Sequence, residues 1–362
     1  MQDCVRVAPD GRILIVKLSA IGDVIMTTPV AKALRAAFPG AYIAWVVEPK
    51  SRDILIGNPY LDEVIVWDRP ADLSWNPLSV AATWKSLRAL GRELRSKRFD
   101  VAVDLQGLLR SALVAKSSGA KCVLGFDSGR EGSTRLYTHL YPLSLTGTRG
   151  PQRYLDALRL LGVHASHTEM CMPLTEDDRA YARRILDEET ARHLPDRRLI
   201  AALAPATTWP HKHWTEEGWA GLADGLIARY EALPVFLGSS ADVNLIGRIR
   251  GLMTREPGDV VGRTTLKQAG AVLEEADLVF GVDTGLLHMS IALGRPTIGI
   301  FGPTRWRHLM RGELLSVVVK EMDCIPCMRH PTCTDFACMR AITSDEVLSE
   351  AGRRLARILP AR

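Results

Sequence analysis

RILIVKLSAIGDVIMTTPVAKALRAAFPGAYIAWVVE, residues 12–48, decides the fold. Arg12–Leu18 is a short apolar run rich in β-branched residues, the pattern of a buried strand. It ends at Ser19-Ala20-Ile21-Gly22-Asp23, and Thr28-Pro29 opens an amphipathic helix through VAKALRAAF. Pro39-Gly40 stops that helix, and a second strand, AYIAWVVE, follows directly. Strand, helix and strand in this rhythm form a βαβ unit and predict a parallel sheet.

The rhythm continues. EVIVWD (Glu63–Asp68) reads as a third strand and FDVAVDLQG (Phe99–Gly107) as a further buried one, followed by the helical LLRSALVAKSSG. Between them, Trp84, Leu87, Leu90 and Leu94 recur at helical spacing, ringed by Lys85, Arg88, Arg92, Arg95 and Arg98. A polar stretch around residues 163–180, running into the helical TEDDRAYARRILDEE, reads as an inter-domain passage. The pattern then restarts with LIAALAPA (Leu199–Ala206), LPVFLGS (Leu233–Ser239), DLVFGVD (Asp277–Asp283) and PTIGIFG (Pro296–Gly302), with helices between. The expected fold class is therefore α/β, with two Rossmann-like domains facing across a cleft. They span residues 1–170 and 171–343, and a C-terminal helix at 344–362 is expected to pack back on the N-terminal domain. A chain of 362 residues is long enough for two cores. Open α/β sheets bind ligands beyond the carboxyl ends of their strands, so one half would hold a nucleotide and the other a second substrate.

Composition narrows the setting. With 47% hydrophobic and 24% charged residues, the chain matches ordinary soluble globular proteins. No apolar stretch nears the roughly 18 residues that span a bilayer, and MQDCVRVAPDGR is too polar for a secretory signal. A cytoplasmic protein is expected. Residues 1–170 carry 22 Lys+Arg against 16 Asp+Glu, and the remainder 24 against 25. The basic half suits an anionic partner such as a phosphorylated lipid or the cytoplasmic membrane face, or is ordinary surface variation. The helix around residues 84–98 has the same two readings: a lipid-contacting face, or a solvated one whose leucines pack on the sheet. No basic run interleaved with aromatics points to nucleic acid.

Three constellations carry chemistry. Lys17 to Asp23 ends the first strand without either glycine-rich phosphate fingerprint, and Asp23 is placed in a strand-to-helix loop. There it would take a proton from a substrate hydroxyl, or simply cap the following helix. Thr207-Thr208-Trp209-Pro210-His211-Lys212-His213-Trp214 follows a buried strand, and Lys212 would meet a diphosphate as a compact charge, or stand solvated. Asp283-Thr284-Gly285-Leu286-Leu287-His288 follows another strand and starts a helix, whose free N–H groups suit phosphate oxygens or a plain capped turn. Seven cysteines add a fourth feature: Cys4, Cys122 and Cys171 are scattered, while Cys324, Cys327, Cys333 and Cys338 cluster. Four thiolates at that spacing would close a structural zinc or iron site, or the cysteines remain reduced thiols or pair partly in disulfides.

Lys17 to Asp23, DLQGLLRSA from Asp104, Thr207 to Trp214, and Asp283 to His288 with PTIGIFGPT resemble, in order, the blocks of glycosyltransferase family 9, the heptosyltransferases. The resemblance covers roughly residues 12–350 and is closest to the members that add the first heptose to inner-core Kdo. It implies a GT-B fold, an ADP-heptose donor on the C-terminal domain, a lipid-linked anionic acceptor and metal-independent inversion. It also implies Asp23 as general base and Lys212 on the donor diphosphate. Thr207 and Thr208 would join the donor side, with Thr284, Gly285 and Leu286 as the phosphate turn flanked by Asp283 and His288. Ser19, Gly22, Gln106 and Arg130 (in GFDSGREGS) fall on the acceptor side. One position departs: where the family carries a carboxylate toward the donor ribose, this chain has Lys267 in TTLKQAG. A nucleotide-sugar epimerase and a non-catalytic sugar-nucleotide-binding protein are the other readings.

Overall fold

The computed structural model describes residues 5–69, 77–146, 150–196, 199–306, 314–331 and 333–358. Contacts divide the chain into two units, Met1–Pro173 and Leu174–Arg362. The first is built on β1 (Arg12–Val16), β2 (Tyr42–Val47), β3 (Glu63–Val66), β4 (Val101–Asp104), β5 (Cys122–Phe126) and β6 (His139–Tyr141). All neighbours run parallel, in the order β3-β2-β1-β4-β5-β6. The second holds β7 (Leu199–Ala204), β8 (Ala232–Phe236), β9 (Gly258–Asp259), β10 (Leu278–Val282), β11 (Thr297–Phe301) and β12 (Leu315–Val319). Its order, β12-β11-β10-β7-β8-β9, is the same topology, again parallel throughout. In each unit the chain reverses its direction of growth beside the first strand, which leaves a crevice at β1/β4 and another at β7/β10.

Burial explains why the central strands read so clearly. β4, β7, β8, β10 and β11 are buried along their whole length, as parallel strands covered on both faces must be. In the first core, Leu14, Val16, Ala44 and Ala102 meet Leu87, Leu90 and Leu94 of the helix Pro77–Ser96. The second core joins Leu203, Phe236, Phe280 and Ile300 to Trp219 and Leu226 of the helix Glu216–Tyr230.

Three expectations change. Asp23 lies not in a loop but in the first turn of a short helix, Ile21–Thr27, because Thr28-Pro29 starts a separate helix, Pro29–Ala37. The units divide at Pro173/Leu174, inside the expected passage, but its helical part is the first helix of the second unit: Glu176–His193 opens on a reciprocal Thr175–Asp178 capping box and packs along the helix Leu266–Glu275. The C-terminal helix Ser344–Ile358 also belongs to the second unit, with Val347, Leu348, Ala351 and Leu355 in its core. It comes so near Gly225 that a Cβ there would sit 2.4 Å from Leu348 Cδ1. Cys4 lies outside the described residues.

Glu189 anchors the edge of the second sheet. It is 1% exposed, accepts from Asp259 N at 3.0 Å and pairs with Arg263 Nη1 at 2.7 Å. Burial works to raise its pKa, but the Asp259 amide and the Arg263 guanidinium outweigh that and hold it below the ordinary glutamate value. Glu189→Ala should destabilise the protein by about 1–3 kcal/mol, because it leaves the Asp259 amide without its acceptor and removes one of the acceptors of Arg263. Since the folded pKa is depressed, the stabilisation is full above the unfolded value of about 4.3 and fades as pH falls through the native one. Urea melts of wild type and Glu189→Gln should therefore converge in acid; a gap that widens there contradicts the assignment.

Candidate active site

The register of each sheet sets what its crevice contains. Val16 pairs with Asp104, so Lys17 and Leu105 leave the first sheet side by side. The Lys17 ammonium is 3% exposed and donates to Leu105 O at 3.3 Å and Tyr154 Oη at 3.4 Å. Its third neighbour is Asp23, with Oδ2 at 3.8 Å and a side chain 45% exposed. Burial pulls the Lys17 pKa down, but the Asp23 charge and Tyr154 win and hold it above its ordinary value. A fixed cation thus positions an accessible carboxylate.

Gln106 supports the same loop from behind. Its Oε1 accepts from Leu18 N at 3.1 Å and Ser19 N at 3.3 Å, so its carbonyl is spent on backbone. Buried Asp104 holds that turn in place through Gln106 N, Gly107 N, Ser111 Oγ and Tyr137 Oη. Gly107, at φ +73°, turns the chain where a side chain would strain, and its carbonyl accepts from Arg130 N at 2.9 Å. Exposed Arg130 is thereby tied to the Gln106 turn. Gly22 is buried in the Asp23 helix. Arg110 and Arg153 were not singled out in the sequence. Arg110 Nη2 donates to Ser19 Oγ at 3.2 Å, and buried Nε atoms of both arginines lack a protein acceptor. Arg110, with a spare donor beside Ser19, suits an anionic ligand, while Arg153 lies over the Phe126 and Tyr154 rings; the clue in the sequence was Arg110 within LLRSA, which reads as helix surface.

In the second unit Ala204 pairs with Gly281, which sets the loops after β7 and β10 alongside each other. Lys212, in a single 3₁₀ turn, donates to Asp283 Oδ2 at 2.7 Å and Asp283 O at 3.3 Å. Thr207 Oγ1 donates to the same carbonyl at 3.5 Å, and Thr208 is exposed. Buried His288 places Nε2 3.7 Å from Asp283 Oδ1. Burial would raise the Asp283 pKa, but His288 and the Lys212 charge hold it well below the usual carboxylate range. Thr284 precedes the helix Gly285–Ala292 in extended backbone and makes no side-chain cap, so the first N–H groups at Gly285 and Leu286 face outward unmet by it. Lys267 occupies the first turn of the helix Leu266–Glu275.

The cysteine-rich segment lies against this loop. Among the described residues no three His, Cys, Asp or Glu side chains form a metal-ligating group. Cys338 is buried in the hydrophobic core while Cys324 is exposed, and burial, with the neighbouring thiols, pushes the Cys327 and Cys338 thiols up. What the segment does is brace the Lys212 loop. His211 donates Nε2–H to Met328 O at 2.7 Å, and Trp209 stacks with Lys212 Nζ at 4.1 Å and Arg329 Cζ at 5.0 Å from its ring centre.

Two parallel-sheet units of one topology are the GT-B architecture, shared by the solved glycosyltransferases that superpose on this chain. The family model of glycosyltransferase family 9 (heptosyltransferase) matches residues 87–334, and this chain belongs to that family. It is 30% identical to lipopolysaccharide heptosyltransferase 1 of Pseudomonas aeruginosa, over 89% of this chain and 87% of the relative. The enzyme of the same name from Escherichia coli K12 is 31% identical over 81% and 88% of the two chains. A solved structure of E. coli heptosyltransferase WaaC with ADP-2-deoxy-2-fluoro heptose superposes with a TM-score of 0.67 at 25% identity, covering 94% of this chain and 99% of that one. Among the described residues no helix is long and apolar enough to cross a membrane.

Gln106→Leu should free the Leu18 and Ser19 amides while keeping the side-chain volume. Their hydrogen-exchange protection is expected to fall by on the order of tenfold or more. Unchanged protection would show that the loop is held by something else.

Proposed function

We propose that the chain transfers a heptose from ADP-heptose to the Kdo sugar of a lipid A-linked inner-core acceptor, inverting the anomeric centre, at the cytoplasmic face of the inner membrane. The observation that carries this reading is the Lys212–Asp283 pair at an open helix start, at the switch point of the second sheet. The names of the relatives, and the ADP-sugar in the WaaC structure, support the donor and the acceptor class.

The reaction is a single displacement. The Asp23 carboxylate takes the proton from the acceptor hydroxyl as its oxygen attacks the anomeric carbon. The bond from that carbon to the diphosphate oxygen breaks, and ADP leaves with the electron pair. The Lys212 ammonium and the amides of Gly285 and Leu286 meet the charge that develops there, and the partial positive charge of the helix start adds to it. Thr207, Thr208 and Thr284 supply hydroxyls along the donor. On the acceptor side, Arg110 and Arg130 meet anionic groups, Ser19 and Gly22 line the approach to Asp23, and Gln106 holds the loop. Lys267, which only donates, contacts oxygen atoms of the donor ribose where a carboxylate would accept from its hydroxyls.

The test is a panel of ADP- and UDP-sugars offered with Kdo-lipid A, with products read by mass. An acceptor that gains one heptose from ADP-heptose alone is expected. A donor that is consumed or epimerised while the acceptor stays unchanged contradicts the reading.

Two variants separate the roles. Asp23→Asn should keep ADP affinity and lower transfer by about 10²–10⁴. Lys212→Ala should weaken ADP binding by about tenfold or more, as measured by calorimetry. Transfer by Asp23→Asn at the wild-type rate removes Asp23 from the base role.

A further inference from the structure

The helix Pro77–Ser96 carries a surface that neither the core nor the reaction uses. Leu87, Leu90 and Leu94 bury one side of it in the first core. On another side Ala81, Lys85, Arg88, Arg92 and Arg95 line one open groove. Their steps of four and three residues keep all five within an arc of about 80°, along roughly 21 Å of helix. The four cations are exposed. Arg95 donates to Ser117 O at 3.0 Å, and no carboxylate among the described residues pairs with any of the four. Glu93, the acidic residue of this helix, is turned about 100° from Arg92. Trp84, 48% exposed, stands between the cationic stripe and the buried leucines, with exposed Val80 one turn before it.

A solvated helix face ordinarily mixes charges of both signs and keeps large aromatics covered. Here the stripe has one sign and the exposed aromatic is a tryptophan, the side chain that settles at the headgroup level of a bilayer. The straight, extended row exceeds what a single phosphate would engage, and one lone aromatic gives no series for stacking bases. Each basic residue near an anionic bilayer strengthens attachment by roughly fivefold.

We propose that this face is a docking surface for an anionic lipid bilayer. The helix lies along the membrane, with Lys85, Arg88, Arg92 and Arg95 on headgroup phosphates and Trp84 at the interface. The inference concerns the first unit alone and does not depend on which sugar is transferred. Its test is co-sedimentation of the full chain with vesicles of phosphatidylethanolamine containing phosphatidylglycerol, and with vesicles of phosphatidylcholine alone. Wild type should pellet with the first and not the second, and high salt should release it. Arg88→Glu with Arg92→Glu should reduce attachment by at least about twentyfold. Trp84→Ala, which leaves the charge alone, should reduce it several-fold, and thermal melts confirm that the variants fold. Equal attachment to both vesicle types, or unchanged attachment of the double variant, overturns the proposal. So does a wild type that stays in the supernatant yet binds single-stranded DNA.

Discussion

Parallel pairing of the central strands is the constraint from which the rest follows. β1 beside β4 and β7 beside β10 fix where four loops begin, and these loops hold most of the residues assigned to chemistry. Pairing Val16 with Asp104 lets Lys17 reach Leu105 O and leaves Asp23 within 3.8 Å of the ammonium. Pairing Ala204 with Gly281 lets Lys212 cross to Asp283. A slip of one residue in either pairing would turn every side chain of the strand to the opposite face. The register that builds the cores therefore also builds the site.

Both crevices hold a partly buried ion pair, which is a poor device for stability alone. Withdrawing the charges from water costs about as much as their attraction returns. Lys17–Asp23 and Lys212–Asp283 make better sense as preorganisation: the first holds the exposed Asp23 carboxylate in a fixed place, and the second holds the partly buried Lys212 ammonium. The second is reinforced from outside by Trp209, His211 and the segment around Met328. The clustered cysteines lie in that supporting segment.

The buried strands were legible because a strand covered on both faces must be a run of apolar residues, as RILIV and LVFGV are. Of the edge strands β3 was, but those of the second sheet were not: Gly258–Asp259 is too short to show a period, and Leu315–Val319 is only partly buried. The break between Thr27 and Pro29 hid the short Asp23 helix, since proline there reads as a first start and not a second. Lys212 and Asp283 could be named singly, but their contact spans 71 positions and depends on the sheet. Arg110 within LLRSA reads only as helix surface, and the bracing role of His211 had no local signature, because their meaning lies in what they touch. The four cysteines cluster by local spacing, while Cys338 also joins a core assembled from distant residues.

A crystal structure of the protein with ADP tests the division of labour between the two switch points most directly. The diphosphate should lie on the Gly285 and Leu286 amides, with Lys212 turned to it and the Lys17–Asp23 loop free of nucleotide. A diphosphate found against Arg110 and the Asp23 loop would contradict the account.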